Sequence, residues 1–280
     1  MKPKQNLRRF LPFDRRSISI VGTTTLSLLV LIACHPTSTS QNPIDETSTE
    51  IETANPSQTK TANSTTFQSD PDVNYLTLLS LIKGQLRVAK ELLVEGKADR
   101  AEPHIVTSLT LYGDLQTQLK ERNVPELEAP LQQLYDLVKS SPDDPQVQTE
   151  YKASMEAIDT AIAAIPSSKR QSAAFGMAVI DRILEAAKQA YETAISDEKM
   201  AGEIEYQDAQ GLILYANELY PDIAESVKQQ DRTSHREIEA YLEGLTTAFP
   251  SDNPPETPAM SSEQFAEMVD KIAENARKLE

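Results

Sequence analysis

The stretch Asp144-Pro-Gln-Val-Gln-Thr-Glu-Tyr-Lys-Ala-Ser-Met-Glu-Ala-Ile-Asp-Thr-Ala-Ile-Ala-Ala-Ile165 decides the fold. Its large apolar residues are Val147, Tyr151, Met155, Ile158, Ile162 and Ile165. They recur every three or four positions, which places them on one face of an α-helix and rules out a strand of period two. Asp144 followed by Pro145 reads as a cap and a first helical residue.

The same periodicity extends in both directions. Tyr75, Leu78, Leu79, Ile82, Leu86, Leu92 and Leu93 predict a first helix, with Gly84 as its weak point and Gly96 as its stop. A second is expected over about 98–119, and a third carries Leu127, Leu131, Leu134 and Val138. Beyond the helix just quoted, further helices are expected over about 172–196, 202–228 and 234–248. Pro250, Pro254, Pro255 and Pro258 then force an extended crossing, and the capping box Ser261-x-x-Gln264 opens a last helix. No segment alternates with period two and no Asn-Gly or Asp-Gly turn occurs. The expected fold is all-α, a single bundle of six to eight helices spanning 72–280. Glu91 to His104 reads like a tetratricopeptide turn, but without a repeat 34 residues later no solenoid can form.

The segment before the bundle has a different texture. Six basic residues and one acid occupy 1–16, and 17–33 carry no charge and end in an apolar run. This is the layout of a secretory signal peptide, predicted over 1–33. Leu31-Ile32-Ala33-Cys34 resembles the lipobox of bacterial lipoproteins, in which the cysteine is lipidated after cleavage behind the small residue. The resemblance implies a diacylglycerol thioether and a palmitoyl-type acyl chain on Cys34. It also implies a membrane anchor and a cell-envelope location facing the periplasm or exterior. Residues 34–71 form the expected tether: 15 of residues 35–70 are Ser or Thr, too polar a stretch to offset its ordering entropy by burial.

Composition excludes several functions. One cysteine closes no intramolecular disulfide and builds no Cys-rich zinc site. A net charge of −16 argues against nucleic acid as a partner. Without the signal the balance is 21 basic to 42 acidic residues, so the acidity belongs to the exported part. Ser57-x-x-Lys60, Ser80-x-x-Lys83 and Ser251-Asp252-Asn253 imitate part of the penicillin-binding signature, but no Lys-Thr-Gly follows. No nucleophile–base constellation is legible, and the chain is read as non-catalytic, with no organic cofactor.

Two features suggest a ligand. His104 follows Pro103 beside the apolar Ile105, a position that suits either a buried histidine bonded to a backbone carbonyl or a metal ligand. Glu205 and Asp208 continue the stripe of Leu212, Tyr215 and Leu219. Carboxylates facing a bundle interior need a partner or a cation. The bland alternative leaves them solvated at the helix end or paired with Lys199 and Arg182. Together His104, Glu205 and Asp208 form a candidate site for a divalent or ferric ion, provided their two helices pack together.

Lys199 to Gln207, with its Glu205-Tyr206-Gln207, resembles a segment of the extracytoplasmic helical domain attached to some high-affinity iron permeases. More broadly, residues 75–275 resemble a family of uncharacterised helical bacterial envelope lipoproteins. The matching positions are Gly84-Gln85-Leu86, Pro103-His104, Leu111-Tyr112 and Glu205-Tyr206-Gln207-Asp208. Gln85 stands where that family has a histidine and Thr110 where it has a carboxylate, so if the family holds a metal through those ligands, this chain has replaced part of the site. The Gly-x-His-x-x-Glu motif of imelysin-like proteins does not occur. The resemblance implies a lipid-anchored envelope protein that binds a cation such as iron. The alternative is an interaction lipoprotein that docks another envelope protein through its acidic helical surface.

Overall fold

A computed structural model describes residues 70–279. The signal peptide, the lipidation of Cys34 and the tether as far as residue 69 lie outside the described residues. Ten α-helices follow one another: α1 Pro71–Val94, α2 Ala98–Glu121, α3 Glu128–Ser140, α4 Gln146–Ile162, α5 Ser167–Arg170, α6 Ala173–Ala194, α7 Glu203–Leu219, α8 Pro221–Gln230, α9 Arg232–Thr246 and α10 Ser262–Ala276. A short 3₁₀ turn, Arg277–Leu279, closes the chain. The architecture is all-α, as expected. There are two more helices among the described residues than the upper end of the six to eight expected, because α5 is a single turn and the predicted helix over 202–228 divides at Pro221. Proline cannot continue the hydrogen-bond ladder, and it starts α8 at the first helical position instead.

Local chemistry sets the helix ends. Asp70 caps α1 by accepting from the Asp72 N–H at 2.8 Å. Gly96, at φ +72°, lets the chain turn back so that the Lys97 N–H reaches the Leu92 carbonyl. The Ser261–Gln264 capping box is present with both of its bonds.

One feature departs from the helical pattern. Ile195–Ser196 (β1) pairs antiparallel with Lys199–Met200 (β2), and Asp197 and Glu198 make the turn at φ 50° and 61°. Two consecutive left-handed residues are the signature of the tight hairpin turn. The helix expected to reach Ser196 therefore ends at Ala194.

Helices α6, α7, α9 and α10 form a closed ring of four, each packed on the next, and α1 lies against α6 and α7. The two groups meet where α1 crosses α7 at Gly84 and Gly211. A Cβ on Gly211 would fall 2.5 Å from the Gly84 carbonyl oxygen and 2.5 Å from a Val88 methyl. Only hydrogen fits there, so the backbones approach closely and Gln85 is brought to the α7 surface.

The proline-rich crossing between α9 and α10, residues 249–261, forms a strap over the bundle. The Tyr206 hydroxyl donates to the Ser251 carbonyl at 2.7 Å, and the Tyr191 hydroxyl to the Met260 carbonyl at 2.7 Å. Midway, the Met200 N–H donates to the Glu256 carbonyl at 3.2 Å. Beneath the strap Tyr191 stacks on Phe265 with ring centres 4.4 Å apart, and Phe249 meets Tyr191 edge-on at 5.6 Å. Burial pushes the Tyr206 hydroxyl up to about 12, so it remains a donor to the Ser251 carbonyl through the neutral range.

Candidate functional site

His104 lies on α2, one residue after Pro103, and is fully buried. Its partners are side-chain oxygens, where the sequence suggested a backbone carbonyl. Nδ1 is 2.8 Å from Asp208 Oδ1 and 2.9 Å from Gln85 Oε1, and Nε2 is 3.1 Å from Gln207 Oε1. Helices α1, α2 and α7 thus each send polar groups to one point in an otherwise apolar interior. The helices of His104 and Asp208 do pack together there.

The amide of Gln207 is oriented by its other end. Its Nε2 donates to the Asp252 carbonyl at 3.0 Å, which turns its oxygen toward His104. Gln210, one turn on, donates to Asp252 Oδ1 at 3.0 Å. Arg100 reaches the strap from α2, with Nη1 2.7 Å from Asn253 Oδ1, and also pairs with Glu203. The triplet Ser251-Asp252-Asn253, noted above only as an accidental motif, is the cover of the histidine site. Its would-be partner Ser80 donates to its own helix, to the Leu76 carbonyl at 2.7 Å, and Lys83 pairs with Asp159 at 2.6 Å.

Glu205 stands apart from this cluster. It belongs to the first turn of α7, and its Oε2 lies 2.7 Å from where a Cβ on Gly202, the N-cap, would sit. Its carboxylate therefore serves the positive end of its own helix, where the exposed N–H groups favour an acid. Among the described residues no group of three or more His, Cys, Asp and Glu side chains is arranged to hold a metal ion. The pairing with Lys199 that the sequence allowed goes elsewhere, since Lys199 is 4.0 Å from Glu256.

Gln85 and Gln207, quoted above for a resemblance, and Asp252, noted above in an accidental motif, have contacts here that sequence reasoning did not assign to them. Gln85 carried one usable signal, a polar residue in the apolar face between Ile82 and Leu86. Gln207 carried less, and Asp252 none, because its contact depends on a strap some 45 residues away.

The cluster has a definite chemical capacity. Asp208 is the one charged oxygen donor at the imidazole, and its side chain is 22% exposed whereas His104, Gln85 and Gln207 are buried. Nδ1 and Asp208 Oδ1 lie at hydrogen-bond distance, so a proton carried on Nδ1 is shared with the carboxylate. Ions that take donors at about 2.1 Å in octahedral geometry set neighbouring donors roughly 3 Å apart. The 2.8 and 2.9 Å separations from Nδ1 to Asp208 and Gln85 are of that order.

Residues 166–280 match the family model of the iron permease-associated 4-helix bundle domain. The matched part contains the ring α6, α7, α9 and α10, together with Gln207, Asp208 and the strap. It excludes α1 and α2, which supply Gln85 and His104. The chain is thus similar to that domain over its C-terminal part, and the histidine comes from outside the similarity. Neither the curated proteins nor the solved structures provide a match.

Proposed function

We propose that this chain is a lipid-anchored, non-catalytic binding protein of the bacterial envelope, whose cargo is a metal cation such as iron. His104 Nδ1 and the Asp208 carboxylate are its principal ligands, and the Gln85 amide oxygen is a weaker third. The carrying observation is the buried His104–Asp208 contact at 2.8 Å, placed where three helices converge. A nitrogen donor beside oxygen donors suits a first-row ion. Similarity of residues 166–280 to an iron permease-associated domain supports iron as the cargo. Two strong ligands and neutral amides imply modest affinity, the behaviour of a protein that receives an ion and passes it on. The anchor rests on Leu31 to Cys34, outside the described residues. No helix among the described residues is long and apolar enough to cross a membrane.

The test uses the full-length chain purified in mild detergent and titrated with Fe(II) under argon, then Mn(II) and Zn(II). Bound metal and thermal unfolding are followed. Retention of about one ion and a rise in Tm are expected, with loss of both in Asp208→Asn, which keeps the side-chain shape. Gln85→His is expected to tighten binding at least tenfold by adding an imidazole. A wild-type chain that retains no ion and shows no shift overturns the reading. If a basic envelope protein then co-purifies with it, the chain docks through its acidic surface instead.

A further inference from the structure

His235 and Glu239 stand four residues apart near the start of α9, and so share one face of that helix. Nε2 of the histidine lies 3.4 Å from Oε2 of the glutamate. That distance decides what suits the space between them. It exceeds the roughly 2.7–3.2 Å of an N–H···O hydrogen bond, so a proton bridges the two atoms poorly. A tetrahedral zinc ion with donors at about 2.0–2.2 Å sets them about 3.3–3.6 Å from one another. The pair already has that separation. It is wider than the 2.8 and 2.9 Å contacts of His104 Nδ1.

The second ring nitrogen has its own partner. Tyr220, buried where α7 passes into α8, places its hydroxyl 2.9 Å from His235 Nδ1 and 3.4 Å from the His235 carbonyl oxygen. With its hydrogen directed to that carbonyl, the hydroxyl oxygen accepts from Nδ1–H. Nε2 is then left with a lone pair toward Glu239. Burial, and after it the Glu239 carboxylate, pushes the Tyr220 hydroxyl well above its ordinary range, so it stays neutral and keeps its hydrogen. A ligating imidazole uses such a partner at its other nitrogen, which fixes the ring and raises its basicity.

The surroundings set how an ion would be held. The His235 side chain is 14% exposed and that of Glu239 53%, so the fold holds the ring while the carboxylate meets solvent. Among the described residues no third His, Cys, Asp or Glu is placed to join them, so water completes the shell. Two protein ligands, with the exposed Arg236 beside them on the helix, imply micromolar affinity or weaker.

We propose that His235 Nε2 and Glu239 Oε2 form a metal site for a tetrahedral ion such as Zn(II), with Tyr220 as the hydrogen-bond partner behind the imidazole. The site shares no residue with the His104 cluster and does not depend on metal binding there.

Isothermal titration with Zn(II) tests it on the full-length chain in detergent, carrying Asp208→Asn so that the His104 cluster lacks its carboxylate. Binding of about one ion is expected. His235→Gln is expected to abolish it and Glu239→Gln to weaken it at least tenfold. Glu237→Gln removes an exposed charge from the same helix and is expected to leave affinity unchanged. Tyr220→Phe is expected to weaken binding severalfold. Circular dichroism checks that each variant is folded. Should Asp208→Asn unfold, Glu239→Gln in the wild-type chain is expected to lower the number of bound ions by one. Absence of Zn(II) binding at sub-millimolar concentration overturns the proposal. So does a loss in Glu237→Gln equal to that in Glu239→Gln, which would mean that surface charge alone holds the ion.

Discussion

Gly211 of α7 presses against the carbonyl oxygen of Gly84 on α1, and this contact sets how closely the two helices approach. The residues that follow or precede it on each helix, Gln85 on one side and Gln207 and Asp208 on the other, are those that meet His104. The polar cluster therefore depends on a backbone contact in which it takes no part.

The two glycines differ in what they tolerate. Alanine at Gly211 would set a methyl 2.5 Å from backbone oxygen, which cannot move without the helix. Alanine at Gly84 would chiefly meet a Leu212 methyl at 2.9 Å, the end of a flexible side chain. Gly211→Ala is expected to cost about 2–3 kcal/mol through overpacking. Gly84→Ala is expected to fall within about 1 kcal/mol of wild type, since gained helix propensity offsets the adjustment. Urea denaturation of the two variants checks the asymmetry, and equal losses would contradict it.

Acid stability is expected to depend on the start of α1. Asp72 lies 2.7 Å from both Lys169 Nζ and an Arg122 nitrogen. Hydrogen bonding from Lys169, and then from Arg122, holds its carboxyl below the ordinary carboxylate range, against the burial that opposes this. A depressed folded-state value contributes stability that is full above the unfolded value near 4 and is lost as pH falls through the folded one. Unfolding free energy should therefore drop below about pH 4, and Asp72→Asn should flatten that drop while lowering stability at pH 7. Denaturation curves between pH 3 and 7 check both.

Removing one pin of the strap should loosen it locally. Tyr206→Phe deletes the donor to the Ser251 carbonyl and keeps the ring against Phe249. The expected cost is about 1 kcal/mol. Hydrogen exchange should speed up at residues 251–253 more than at Met260, which Tyr191 still holds. A uniform change along the strap would show that the pins act as one unit.

Much of the fold could be read from the sequence because its signals are local. The stripe of Val147 to Ile165, the left-handed Gly96 and the Ser261 capping box each act within a few residues. The hairpin at Asp197-Glu198 escaped because two acids, not glycine or asparagine, adopt positive φ there. The division at Pro221 was visible as a proline, but the apolar stripe continuing past it suggested one helix. At the site, His104 and Asp208 stood out by position on their helices. Glu205 fitted the same stripe, yet lies in the first turn, where the helix end claims its carboxylate. That glutamines 85 and 207 meet His104 depends on the Gly84–Gly211 crossing, and that crossing is a tertiary event.

The strap has a consequence for how its sequence can change. Tyr206, Gln207, Met200 and Tyr191 all hold it by donating to its main-chain carbonyls, at Ser251, Asp252, Glu256 and Met260. Every residue type supplies a carbonyl, proline included, and the N–H groups that Pro254, Pro255 and Pro258 lack are not needed. From Pro254 to Ala259 the side chains take no part in these four bonds, so substitutions there leave the strap's main-chain anchors in place.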